Sequence, residues 1–195
     1  AIADGTLPMP EVEARLARLA ALAVAHPCAQ CQYVDEAADS ALMALAWQRG
    51  LTARGAVRRP APGAKVRLVA RQDVVSDGVS EAGVPAASVA ASLARLYDVE
   101  LVTFADAEAF DWASLPQDGR FTMLASTSRR RYGPKARAGW HPDLHLALWN
   151  PYQALDFDAP ALMTYGFAAP ALDAVNAWLA GDIEARGVCP VPGFA

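Results

Sequence analysis

Histidine and cysteine are scarce in this chain, with three of each among 195 residues. Three cysteines cannot build the disulfide framework of a small secreted scaffold. Two of them stand in a lone CxxC, Cys28-Ala29-Gln30-Cys31. A redox dithiol of the thioredoxin type follows a strand and opens a helix, which makes one thiol acidic. This pair instead follows a helical segment and His26-Pro27. A zinc site needs two more ligands at ligand-like spacing, and Cys189 and His26 lie far apart. Structural thiols are therefore expected, with no metal and no cofactor.

Basic charge is also in deficit. Seventeen Lys and Arg face 21 Asp and Glu, and the pI near 5.3 argues against a nucleic-acid partner. No apolar run approaches the roughly 20 residues that cross a bilayer as a helix. No charged segment leads into an apolar one at the start, so no signal peptide is visible and the cytoplasm is the favoured compartment. The chain opens on Ala1, not Met. There is no Gly-x-Ser-x-Gly elbow to expose Ser126 or Ser128, and no Gly-rich phosphate loop.

What the chain has is apolar bulk, 54% of its residues and much of it alanine, enough for one domain with a substantial core. Residues 10–25 read as an amphipathic helix, with Val12, Leu16, Leu19 and Ala23 at helical spacing. Pro10 suits its first turn and Pro27 ends it. Residues 36–49 form a second helix, with Ala38, Leu42, Leu45 and Ala46 on one side and Gly50 as its stop. Residues 55–64 read as a linker. The organisation expected is therefore a helical region over 1–60 and an α/β domain over 61–195.

Beyond the linker the period changes. Strands are expected at 65–70, 99–104, 121–126, 144–149 and 161–165, with helices at 85–97 and 168–180. A sixth strand fits near Leu51–Val57 or near the C-terminus. Strands that are apolar on both faces and alternate with helices imply a mostly parallel sheet covered on both sides. The fold class is thus α/β, a three-layer sandwich on five or six strands.

Three places invite a functional reading. Arg129-Arg130-Arg131 follows the 121–126 strand and reads as a solvated loop, an ion-pair cluster or an anion site. Asp73, Asp77 and Glu81 follow the first strand, where α/β sheets bind ligands, so Glu81 is a candidate displaced acid beside its plainer reading as a helix-start acid. Asn150-Pro151-Tyr152 closes a strand: Asn caps the turn, Pro cannot extend the ladder, and Trp149 and Tyr152 are available to a sugar or a neighbouring domain. His141 and His145 are four apart, but a strand would point them away from joint metal binding, and His145 reads as a hydrogen-bonded core residue.

The last third carries a connected pattern. Leu144-His145-Leu146-Ala147-Leu148-Trp149-Asn150-Pro151-Tyr152 is followed by Asp156-Phe157, Ala161-Leu162-Met163-Thr164-Tyr165-Gly166, an amphipathic helix, Gly181 and Gly187-Val188-Cys189-Pro190-Val191. This order resembles the end of the C-terminal α/β domain of glycoside hydrolase family 3. The opening Ala1–Pro8 and its Arg-Leu-Ala-Arg-Leu helix are similar to that family's junction with its barrel. The resemblance implies a two-domain enzyme whose catalytic barrel, of roughly 250 residues or more, is not in this sequence. Retaining glycosidases need a nucleophile and an acid/base about 5 Å apart, and the family's nucleophilic Asp belongs to the barrel.

The family supplies its acid/base in two ways, as a Glu from the C-terminal domain in β-glucosidase-like members or as a barrel-loop His paired with Asp in β-N-acetylglucosaminidase-like members. No Asp or Glu occurs from Gly119 to Pro142. The resemblance therefore implies the β-N-acetylhexosaminidase-like branch, which hydrolyses β-linked N-acetylglucosamine in cell-wall or chitin fragments; a degenerate domain explains the gap equally well. On this reading the chain has no catalytic residue of its own and is inactive alone. It partners the N-terminal barrel and meets carbohydrate through it. Arg129, Arg130, Arg131, Asn150, Tyr152 and Glu81 are the substrate- or barrel-facing candidates. Self-association through the uncovered barrel-facing surface is a further expectation. Two alternatives stay open: a free-standing α/β ligand-binding or sensing module, and a thiol-redox domain centred on Cys28 and Cys31.

Overall fold

The computed structural model describes residues 1–27, 36–76, 78 and 82–190. Cys28, Cys31, Asp77 and Glu81 lie outside the described residues. The chain divides into two compact units, 1–36 and 37–195.

The first unit contains helix α1 (Met9–Ala25), placed where the apolar spacing predicts it, with Pro10 in its first turn. It buries no side chain: Leu16, Leu19 and Leu22 are each more than half exposed. Helix α2 (Glu36–Gly50), all but its first residue in the second unit, buries none either, and Leu42 and Met43 stand exposed. Both helices form as expected from local pattern, but their apolar stripes are left uncovered.

One six-stranded sheet organises the second unit. Its strands are β1 (Thr52–Arg54), β2 (Lys65–Arg71), β3 (Asp98–Phe104), β4 (Phe121–Ser126), β5 (Leu144–Ala147) and β6 (Ala161–Met163). Their spatial order is β1-β6-β5-β4-β2-β3. All neighbours are parallel except β1, which pairs antiparallel with β6. The sixth strand is thus the segment near Leu51, and it lies upstream of the 55–64 linker.

Strand alternation sends side chains to two buried faces. Leu68, Met123, Leu146 and Leu162 meet Val89 and Leu93 of helix α3 (Ala86–Leu93) and Val175, Trp178 and Leu179 of helix α5 (Ala169–Ala180). On the other face Val69 and Leu124 meet Ala136 of helix α4 (Pro134–Gly139) and an aromatic group. In that group Trp140 lies 5.1 Å from Phe104 and 5.3 Å from Trp112, centroid to centroid. This is the three-layer α/β sandwich expected.

Element ends differ from the sequence pattern where side chains override it. The helix expected over 85–97 stops at Leu93, because Tyr97 leaves the helical path to bury its ring and deliver Asp98 into β3 beside Lys65. The strand expected over 161–165 stops at Met163. Thr164 turns its hydroxyl to the carbonyls of Leu148 (3.1 Å) and Gly166 (2.7 Å), and Tyr165 takes a positive φ of 61°. α4 was not anticipated; six residues are too few to show a helical period, and Gly133-Pro134 starts it by fixing the first turn.

Candidate functional site

Sheet order reverses between β2 and β4. The chain leaves β2 toward β3 on one side and returns to place β4 on the other. Parallel sheets bind ligands at such a reversal, outside the carboxyl ends of the strands. A cleft of about 540 Å³ opens there, lined by the segment after β2 (Arg71 to Ser76), by Ser128, Arg129 and Arg130 after β4, and by Trp149 after β5. A smaller cavity of about 160 Å³ adjoins it, sharing Arg71, Ser128 and Arg130 and reaching Asp106, Glu108 and Tyr132.

The walls of the cleft are held by short-range chemistry. Gly83 donates its backbone N–H to Val74 O at 2.8 Å, and a side chain at Gly83 would run into the backbone oxygen of Thr127. The Thr127 hydroxyl in turn donates to Val84 O at 3.1 Å. The segment after β2 is thereby drawn against the end of β4. Trp149 stands edge-on to Phe167, centroids 4.9 Å apart.

The arginine loop is held by one face of a 3₁₀ turn, residues 151–155. Three residues per turn eclipse side chains at i and i+3, so Asn150, Gln153 and Asp156 form one polar row. Asn150 Oδ1 caps the turn by accepting from Tyr152 N–H at 3.0 Å, while its Nδ2 donates to Arg129 O at 2.6 Å. Gln153 Nε2 donates to Arg130 O at 2.6 Å. Asp156, buried, accepts from Tyr132 N–H at 3.0 Å and from Arg131 Nε at 2.6 Å, and pairs with Arg137 at 3.3 Å. Every residue from 129 to 132 is gripped through its backbone or its side chain. Removing the Asp156 carboxylate leaves the Tyr132 N–H without its acceptor and two cations without a counterion. Asp156→Ala should lower stability by about 2–3 kcal/mol, read from the urea midpoint, with the loss falling on this loop in hydrogen exchange.

Beneath the loop lies a buried polar chain. Ser126 Oγ is 2.7 Å from Tyr132 Oη and 2.7 Å from His145 Nε2. Burial drives the His145 imidazole down to about 3, so the ring is neutral, and drives the Tyr132 phenol up to about 12. His145 Nδ1 has no hydrogen-bond partner among the described residues. A buried lone pair left unpaired is commoner than an orphaned N–H, which puts the ring hydrogen on Nε2, donated to Ser126. With Ser126 and His145 each only 1% exposed, this is a core network and not a nucleophile–base pair. His145 behaves as its place in an apolar strand suggests.

The candidates read from the sequence are thus sorted by the fold. Arg129 and Arg130 line the cleft, and Arg130 and Arg131 line the smaller cavity. Asn150 is a cap and a loop anchor. Tyr152 is 45% exposed and lines neither space. Glu81 lies outside the described residues. Sequence reading missed Arg71, which brings a further guanidinium to the cleft from the last position of β2, and Asp156, whose i+3 relation to Gln153 was the available signal. Among the described residues no group of three or more His, Cys, Asp or Glu is placed to hold a metal ion.

No family model and no curated protein matches the chain by sequence. Solved structures match it in fold. A glycoside hydrolase family 3 β-N-acetylglucosaminidase from Paenibacillus sp. str. FPU-7 covers 98% of this chain with a TM-score of 0.62 at 15% identity. A fungal multi-domain family 3 β-N-acetylglucosaminidase, described as carrying a GCN5-related glucosamine N-acetyltransferase region, covers 84% with a TM-score of 0.60 at 21% identity. The β-N-acetylglucosaminidase from Thermotoga maritima covers 76% with a TM-score of 0.52 at 13% identity. This chain spans only 41%, 21% and 32% of those three chains. At such identities the likeness is one of fold.

Proposed function

We propose that this chain is the C-terminal α/β domain of a family 3 glycoside hydrolase of the β-N-acetylhexosaminidase-like kind, and that its catalytic barrel lies elsewhere in the parent enzyme. The observation that carries this reading is the structural match of 98% of this chain to 41% of a larger family 3 enzyme. The domain packs on the barrel, shapes one wall of a site for β-linked N-acetylglucosamine, and supplies no catalytic group. Arg129 and Arg130 are the residues proposed to face that site.

Two further features support the reading. The loop after β4 brings arginines to the cleft and no acid, the reverse of what a domain donating a general acid requires. Apolar side chains stand uncovered on α1 and on α2, as a docking surface would leave them in an isolated domain. The purified chain, incubated with a chromogenic β-N-acetylglucosaminide, should release chromophore no faster than buffer. Clear turnover by a homogeneous sample would remove the proposal.

A further inference from the structure

The 540 Å³ cleft is built of two materials that seldom meet by chance. One is cationic: Arg71, Arg129 and Arg130 line it, and Asp73 is the one acid among the described residues that does. This runs against the chain as a whole, which is net negative. The other is aromatic: Trp149 forms part of the wall, half-buried and set by Phe167.

We propose that this cleft binds a sugar carrying one anionic substituent, a phosphate or a carboxylate. Guanidinium groups match the planar, two-oxygen edge of either anion with paired hydrogen bonds. Two features make the cations ready. Arg71 is steadied by its Nε donating to Ala105 O at 2.9 Å, which leaves its terminal nitrogens to point elsewhere. Arg130 rides on a backbone held by Gln153, so the loop need not be ordered when a ligand arrives. The Trp149 ring offers the apolar face of a pyranose a surface to bury against, with its neighbours Gln72 and Asp73 available for hydroxyls. An inorganic anion would use the arginines and leave the indole idle. A neutral sugar would leave the Arg71 and Arg130 guanidiniums without an anionic ligand. The anionic sugar uses both.

The inference does not rest on the chain being part of a glycosidase, because every residue invoked belongs to the 37–195 unit. Calorimetry with the whole chain tests it against four probes: N-acetylglucosamine 6-phosphate, glucuronic acid, N-acetylglucosamine and inorganic phosphate. At least one of the two sugar acids should bind at least ten-fold more tightly than both the neutral sugar and inorganic phosphate. Which of the two prevails identifies the anion. Arg130→Gln, at an exposed position, should weaken that binding ten-fold or more with unchanged far-ultraviolet dichroism, and Trp149→Ala should weaken it comparably. Equal binding of the neutral sugar, equal binding of inorganic phosphate, no saturable heat with either sugar acid, or indifference to Arg130→Gln would each overturn the proposal. Glycosidase assays of the same sample report on the enzyme reading separately.

Discussion

Replacing Arg67 by alanine is expected to lower stability by about 3–5 kcal/mol, a large share of what holds a domain folded. Arg67 sits in the middle of β2 and is 2% exposed. Its Nε donates to Glu100 at 2.8 Å, its Nη1 to Pro116 O at 2.9 Å, and its Nη2 to Asp118 at 2.9 Å. Arg120 bridges the same two carboxylates, at 2.8 Å to Glu100 and 3.0 Å to Asp118. Partial burial raises the Asp118 carboxyl, but the Arg120 N–H and the two guanidiniums outweigh it and hold the group below its ordinary value. Truncation at Arg67 leaves a cavity, unpairs the Pro116 carbonyl and loosens both acids. The discriminating comparison is Arg67→Met, which fills the volume without the charge. Methionine leaves the Pro116 carbonyl unpaired, but both acids keep Arg120 and no cavity is added, so this variant should lose less than the alanine one, about 2–3 kcal/mol in urea melts. Equal losses for the two variants would show that the lost guanidinium and its unpaired partners, and not the cavity, dominate.

The second large effect is a pH dependence. His145 is neutral and buried, with its imidazole lowered to about 3, whereas an exposed histidine titrates near 6.5. Between these values the unfolded chain binds a proton that the folded chain refuses. Stability from this group is therefore complete above pH 6.5, falls as pH drops through the window, and levels off below about 3. At about 1.4 kcal/mol per unit the whole window amounts to no more than about 5 kcal/mol. His145→Gln places an amide where Nε2 meets Ser126 and removes the titration. The variant should be less stable than the parent at pH 7 by about 1–2 kcal/mol. The difference should shrink and reverse between pH 6 and pH 4 in chemical denaturation. Parallel curves across that range would refute the assignment of the acid limb to His145.

Much of this architecture was legible in residue order. Val66, Leu68 and Ala70 alternate with Arg67 and Val69, yet nearly all are apolar, which is the mark of a strand covered twice. The Gly181 stop and the spacing of Leu172, Val175 and Leu179 define α5, where Gly181 does adopt a left-handed φ of 88°. Arg129 to Arg131 could be singled out, but not divided. Nothing local separates Arg131, which Asp156 engages, from Arg130, which lines the cleft; the difference comes from a turn some twenty residues downstream. Arg67 and His145 were likewise readable only in part. A polar residue in an apolar strand announces a buried partner without saying which.

Residue order by itself determined the longer elements, their covered-sheet arrangement and the absence of an acid beside β4, because hydrophobic period and local composition act over a few residues. Tertiary structure decided where the sheet reverses, which arginines line a common cleft with Trp149, and which carboxylates accompany Arg67. Those outcomes depend on strands and loops remote in the chain being brought within hydrogen-bonding distance, and short-range pattern carries no record of that encounter.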